Sequence, residues 1–341
     1  MALLIALTTL SGFSAAGDNE YRIDDEELRV GWWNSQSQRE HRAKNPLGIN
    51  SPDVKKLIAR IKKDVEIKPY DGAIVFNAGE DEKFSVQGAM DGSILDEAQL
   101  RQDIERAIKT GGKVTAHTRP LPHRPEHEVI ANLGLRGGYT TYFESNPNRE
   151  HNIELALSKF NGLTVENGQT ISFNKVVGPR SASRGFQEAK IILDGEFVPG
   201  IGGGVCQAST TVFNAVLLAG LTVDKSHNHS LAISYVPIGR DAMVSSGADL
   251  VFTNDTGGTI YIEAGLKHAT PSHVGNAWVK IYGNKTKVKY KPRVECTESE
   301  LGENELDPER RSKTYIEAWS GDRLVHSKLV RRSRYKAIVA D

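Results

Sequence analysis

Apolar residues recur at helical spacing in four stretches of the chain. Val54, Leu57, Ile58, Ile61 and Val65 make one stripe, opened by Ser51 as a cap and Pro52 at the first helical position. Lys55, Lys56, Lys62 and Lys63 fall on its solvated flanks. From about Asp96, Leu100, Ile104, Ala107 and Ile108 repeat the pattern until Gly111-Gly112 stops it. Ile153, Leu155, Ala156 and Leu157 predict a helix over Arg149 to Phe160. In the fourth stretch Val212, Val216 and Ala219 share a face, Phe213 and Leu217 lie beside it, and Gly220 is placed for a left-handed cap.

Between and after these helices the pattern turns to short β runs. Residues 73–76 and 83–86 predict a hairpin, and 114–117 and 170–173 two further strands. Residues 191–193 and 196–198 flank Asp194-Gly195, the residue pair suited to a tight primed turn. Strands are expected at 231–236, at 278–282 and 286–290, as a hairpin of 250–253 with 259–262, and as a terminal hairpin of 314–319 with 323–330. The sum is an α+β chain: a small mixed N-terminal domain (17–118), a proline-rich linker (119–138), a β-rich domain around one long helix (139–296), then an acidic loop and β-hairpin (297–341).

Length gives room for two or three domains, and 43 Lys+Arg against 43 Asp+Glu leave no net charge to draw the chain to nucleic acid. Residues 1–16 read as the apolar core of an export signal with a cleavage-like Ser14-Ala15-Ala16, although no Lys or Arg precedes it. An uncleaved anchor, the chain's only expected membrane contact, and a buried helix are the alternatives. Trp32-Trp33 suits core packing or sugar contact. Two cysteines, Cys206 and Cys296, make no disulfide framework. His117, His123 and His127 lack ligand-like spacing, so no metal is expected there. The basic run Arg323, Lys328, Arg331, Arg332, Arg334 and Lys336 reads as a solvated face or a holder of anionic wall polymer.

Candidate chemistry centres on Pro199 through Gly220. Glycines at 200 and 202–204 lead straight into Cys206 and the helix, without the Gly-Lys-Ser/Thr ending of a nucleotide loop. A thiol in the first helical turn meets free N–H groups and the positive end of the dipole, which favour the reactive thiolate. His227 and His229 follow about twenty residues later and supply a base. If the strand at 231–236 extends back, both rings share a face with Leu231, Ile233 and Tyr235. The bland alternatives are a small buried Cys and a zinc site from Cys206, His227 and His229 lacking a fourth ligand.

Several ordered blocks carry a family resemblance: Tyr142-Phe143, Asn148-Arg149, His151 to Ile153, Phe173-Asn174, Val177 to Arg180, Arg184 to Phe186, Pro199 to Gly220, His227 to Ser230, Tyr235 to Pro237 and Gly239 to Ala242. Over this span the chain resembles the VanW family of bacterial cell-envelope proteins. Residues 51–118 are similar, in order and pattern, to the peptidoglycan-binding domain that often precedes VanW domains. Some members of the family are understood as L,D-transpeptidases that join peptidoglycan stem peptides through a Cys acyl-enzyme. The resemblance implies that Cys206 is the nucleophile and His229 or His227 its base, and no cofactor is expected. Asp241 is the candidate orienter by analogy with catalytic triads. Backbone N–H groups around Gly203, Gly204 and Gln207 are expected to hold an oxyanion. Arg180 and Arg240 are candidates for stem carboxylates. Ser209, Thr210 and Asn214 are expected to line the pocket or simply to cap the helix and face solvent, and Tyr235 to line the pocket. Two rivals use the same residues: a peptide hydrolase, with water as acceptor, and a non-enzymatic wall-binding protein.

Overall fold

A computed structural model describes residues 48–110, 114–193, 196–302 and 305–339, so the apolar leader and Trp32-Trp33 lie outside the described residues. The fold is α+β, with strand outweighing helix. The chain divides into two compact units. One comprises residues up to 75 and 86–129, the other residues 76–85 and 130 onward.

In the first unit α1 (Pro52–Val65) starts where Ser51 Oγ accepts the Val54 N–H. Its buried Val54, Ile58, Ile61 and Val65 share a core with Leu100 and Ile104 of α2 (Glu97–Thr110) and with Leu95, Val114 and Ala116. The strand expected at 114–117 is displaced. Val114 enters this core as irregular chain and Ala116 from an isolated bridge, and the strand is β4 (Thr118–Leu121), antiparallel to β3 (Gly92–Leu95). The first residues of the expected linker are therefore sheet. Pro120 is tolerated because the sheet has only two strands and its missing N–H faces outward.

β1 (Ala73–Phe76) and β2 (Phe84–Gln87) form the expected hairpin, whose tip groups with the second unit. There Phe76 and Phe84 meet the rings of Tyr261 and Tyr282 at 5.1–6.1 Å. Buried Glu263 accepts from Gly79 N–H (2.8 Å), Lys83 Nζ (2.7 Å) and Tyr282 hydroxyl (2.8 Å). The carboxylate is thus paired as a buried charge must be.

The second unit is built on an antiparallel sheet in the order β5 (Leu133–Phe143), β13 (Gly275–Asn284), β12 (Ile260–Lys267), β6 (Leu163–Val165). Against it packs α4 (Val205–Ala219), buried along nearly its whole length, with α3 (Pro147–Ser158) beside it. The hairpin expected of 250–253 with 259–262 does not form. β11 (Val251–Thr253) joins β7 (Thr170–Ser172) and β10 (Thr222–Lys225) in a second sheet, while β12 joins the first. Side-chain alternation identified the strands but not their partners, which the two faces of the α4 core decide.

The pair β8 (Glu188–Leu193) and β9 (Glu196–Ile201) runs into the glycine stretch. The terminal hairpin is longer than expected, β16 (Arg310–Ser320) with β17 (Arg323–Tyr335), and β14 (Val288–Glu298) completes a three-stranded sheet. The expected acidic loop is partly strand, since β14 runs to Glu298 and β15 (Glu305–Asp307) pairs with β18 (Ile338–Val339). Among the described residues no helix is long and apolar enough to cross a membrane.

Helix and sheet meet most closely at Gly137 of β5, where an added Cβ would stand 2.4 Å from the backbone of Leu218 and Ala219. Backbone cannot yield as a side-chain tip can. Gly137→Ala is therefore expected to destabilise the chain by about 1–3 kcal/mol through overpacking, read as a lowered denaturation midpoint with an unchanged slope.

Candidate active site

α4 opens without a side-chain cap, on Gly204 in the left-handed region (φ 105°). The glycines serve packing more than access. A Cβ on Gly203 would meet the backbone of Ala189 and Lys190 at 2.6–2.7 Å, and one on Gly204 would meet Arg149 at 2.9 Å. This close fit seats Cys206 at the second helical position, partly exposed on the floor of a cleft of about 1110 Å³. Val205 N–H donates to Gly202 (3.1 Å) and Gln207 N–H to Gly204 (2.8 Å). Among the described residues no backbone carbonyl outside the helix takes the Cys206 N–H.

Residues 226–245 bring the other partners. The strand expected at 231–236 is absent, because the backbone groups on either side of it bond elsewhere. Met243 N–H donates to His227 carbonyl (2.8 Å), Lys336 N–H to Ser230 (2.7 Å), and Arg240 N–H turns back on Pro237 (3.1 Å). The 227–243 bridge closes a loop, and inside it Asp241 folds back on His229. One carboxylate oxygen, Oδ2, accepts both the backbone N–H and ring Nδ1–H of His229, each at 2.7 Å. That leaves Nε2 free of the carboxylate, and the imidazole and the Cys206 thiol influence each other across the cleft floor. Cys206 Sγ also approaches the Val244 carbonyl at 3.5 Å.

Asp241 Oδ1 is held from β17. Tyr335 hydroxyl donates to it at 2.6 Å and Arg331 Nη2 at 3.2 Å, with a second bond from Nη2 to the Asp241 carbonyl at 2.8 Å. Both side chains are buried. Arg331 is thus not part of a solvated or polymer-binding face, as its place in a basic run suggested. Tyr335 was not anticipated at all. Alternation is the signal that could have found them, since Arg331, Ser333 and Tyr335 are the inward positions of the strand end.

The electrostatics follow from these contacts. Burial pushes the Cys206 thiol up, but the imidazole of His229 and the guanidinium of Arg180 bring it below its ordinary value. Burial alone would lower His229, yet Asp241 and the facing sulfur raise it to about 9. Asp241, pushed up by burial, is held below the usual carboxylate range by His229, Arg331 and Tyr335. The contacts therefore favour a thiolate–imidazolium pair over an ionised carboxylate.

The remaining candidates divide. Arg180, Gly203, Gly204, Gln207 and Tyr235 line the cleft with Cys206 and His229. Arg180 donates to Asn174 Oδ1, and its Nε is buried without a partner. Gln207 is committed, its amide oxygen to Arg149 (2.8 Å) and its amide nitrogen to Thr141 and Tyr142. His227 does not line the cleft, and its Nε2 is buried without a partner. Arg240 lies away from it too, bonded to Asn214 (2.8 Å) and stacked 4.8 Å from the Tyr139 ring. Ser209 and Thr210 are buried, Ser209 Oγ donating to the Ala242 carbonyl and Thr210 Oγ1 accepting from its N–H, and Asn214 Nδ2 donates to the Arg240 carbonyl. These three stitch α4 to the segment carrying Asp241 instead of lining a pocket. Arg149 and Lys190, not singled out before, add positive charge to the walls. Cys206 and Cys296 are both free thiols.

Fold and site together define an α+β protein with a Cys–His–Asp line at the base of an open cleft. The sequence model described as "VanW like protein" matches residues 148–274, and that described as "Putative peptidoglycan binding domain" matches residues 33–116. A Bacillus subtilis (strain 168) relative, "Uncharacterized protein YoaR", is 43% identical over 143 residues, covering 41% of this chain and 47% of the relative. "Vancomycin B-type resistance protein VanW" of Enterococcus faecalis (strain ATCC 700802 / V583) is 31% identical over 121 residues, covering 34% of this chain and 44% of that protein. The chain therefore spans about half the length of the curated relatives it matches. No solved structure gives a significant match. Residues 148–274 are thus similar to the VanW family, and the two family matches together support a cell-wall-related role.

The raised midpoint of His229 depends on Asp241. Asp241→Asn keeps the shape but removes the negative charge, so the imidazole is expected to titrate well below about 9, as read from its NMR shifts against pH. An unmoved midpoint would show that the carboxylate does not govern the ring.

Proposed function

We propose that the chain is a cysteine-dependent peptidoglycan acyltransferase of the L,D-transpeptidase type. The observation that carries this reading is Cys206 at the floor of a long open cleft beside His229, whose Nδ1 is held on Asp241 so that Nε2 is left for the thiol. A deprotonated thiol beside a proton donor can both attack a carbonyl and protonate the group it expels.

The steps follow from that pairing. Cys206 Sγ⁻ attacks a peptide carbonyl of a donor stem, and the oxyanion takes the Cys206 N–H at the start of α4. The C–N bond breaks as His229 Nε2–H protonates the departing amine, leaving a thioester on Cys206 and a neutral imidazole. An amine of a second stem attacks the thioester, His229 takes its proton, and the new amide forms as the thiolate returns. Arg180, with an unused Nε–H, and Arg149 and Lys190 along the walls suit the carboxylates of a stem peptide. The peptidoglycan-binding match and the relative named for vancomycin B-type resistance support the wall as the place of work. Export through residues 1–16 is part of the same proposal.

Incubation with a stem peptide is expected to leave an acyl adduct on Cys206, seen as a gain in intact mass equal to the donor less the free terminal amino acid that departs. The product is expected to be a cross-linked dimer, and Cys206→Ala should abolish both. Shortened monomers alone would make the chain a hydrolase, and unchanged dimer yield in the variant would remove the acyl-enzyme.

A further inference from the structure

The residues that fix Asp241 come from the far end of the chain. β17 lies beyond residues 148–274, the span of the VanW match, yet two of its inward side chains end on the carboxylate that holds His229. The two carboxylate oxygens have separate duties. Oδ2 serves His229, and Oδ1 serves Tyr335 and Arg331. We propose that Arg331 and Tyr335 are positioning residues for the Cys206 thiolate, acting through Asp241, so that the C-terminal sheet is part of the reactive site. This rests on the reading of Cys206 as the nucleophile.

The Arg331 guanidinium is fixed through Nε and Nη2, while its buried Nη1 has no partner among the described residues. Its Nε donates to Ser333 (2.9 Å), its Nη2 to the carbonyls of Gly239 (3.1 Å) and Asp241 (2.8 Å), and its plane lies 5.4 Å from the Phe213 ring of α4. Gly239 N–H in turn donates to Tyr335 hydroxyl at 2.9 Å, and Thr314 Oγ1 of β16 donates to the Gly239 carbonyl at 2.7 Å. One small knot therefore joins β16, β17, α4 and the loop that presents Asp241. Burial and the neighbouring carboxylate keep Tyr335 protonated, so its hydroxyl can only donate to Asp241.

Charge gives the direction of the effect. Cys206 and Asp241 are the anions of the set, and His229 and Arg331 its cations. Arg180 and the neutral Tyr235 also face the sulfur, and Arg149 lies over the Tyr235 ring. Removing one buried cation raises the proton affinity of both anions that remain. Deleting the Tyr335 hydroxyl acts the same way, through one lost hydrogen bond to the carboxylate. The thiol should then require higher pH to ionise.

The test uses the full chain carrying Cys296→Ser, so that Cys206 is its single thiol, and measures iodoacetamide alkylation against pH. Arg331→Met is expected to move the midpoint up by about one unit or more, which slows alkylation about tenfold below it. Arg331→Lys should restore most of the shift, and Tyr335→Phe should give a smaller shift of the same sign. A purely structural role would change the rate by one factor at every pH and leave the midpoint in place. If Arg331→Met does not fold, Tyr335→Phe decides by the same reading. Midpoints that match the parent in the folded variants would overturn the proposal. The midpoint reports ionisation whether or not stems are joined, so a chain that shows these shifts but forms no cross-links contradicts the proposed function alone.

Discussion

A single buried carboxylate organises the site. Asp241 is almost completely enclosed, and an ion in such a place persists only when its oxygens are fully engaged. Here they are, by two bonds from His229 on one oxygen and by Tyr335 and Arg331 on the other. Removing any donor would leave part of that charge uncompensated. The conformation of the 227–243 loop and the orientation of the imidazole both depend on this arrangement.

The rest of the second unit delivers parts to that point. β8 and β9 bring the glycines, whose missing side chains let α4 begin against the Ala189 and Lys190 backbone. The sheet β5–β13–β12–β6 holds α4 from one side, closely enough that Gly137 touches helix backbone. Ser209, Thr210 and Asn214 bind the helix to the stretch around Asp241. The C-terminal sheet closes the set from behind. Buried hydrogen-bond networks of this kind stand or fall together, because a partly satisfied one costs more than none.

Legibility in the sequence followed the range of the interactions involved. Ser51-Pro52 and the α1 stripe, the Gly204–Cys206 start and the Gly220 stop are local codes, and each reads correctly from its neighbours. Cys206, His229 and Asp241 lie within 36 positions, and the loop between the latter two is short, so their grouping was open to inference. Two expectations failed for one reason. Residues 231–236 have strand-like spacing, but their surroundings bond to Met243 and Lys336, and β11 and β12 look like a hairpin but serve different sheets. Long-range pairing overrode local pattern in both cases. Arg331 and Tyr335 were missed because alternation marks them as inward positions but does not say that a buried carboxylate, from a loop about ninety positions away, waits there.

The central claim is that the sulfur is ionised at neutral pH because an imidazolium and its carboxylate stand behind it. Ultraviolet difference absorbance between the chain and its Cys206→Ala variant, followed against pH, reads that thiolate directly. The account predicts a thiolate signal already present at about pH 7, well below the ordinary thiol midpoint of about 8.5. A signal that emerges only around that ordinary midpoint would contradict it.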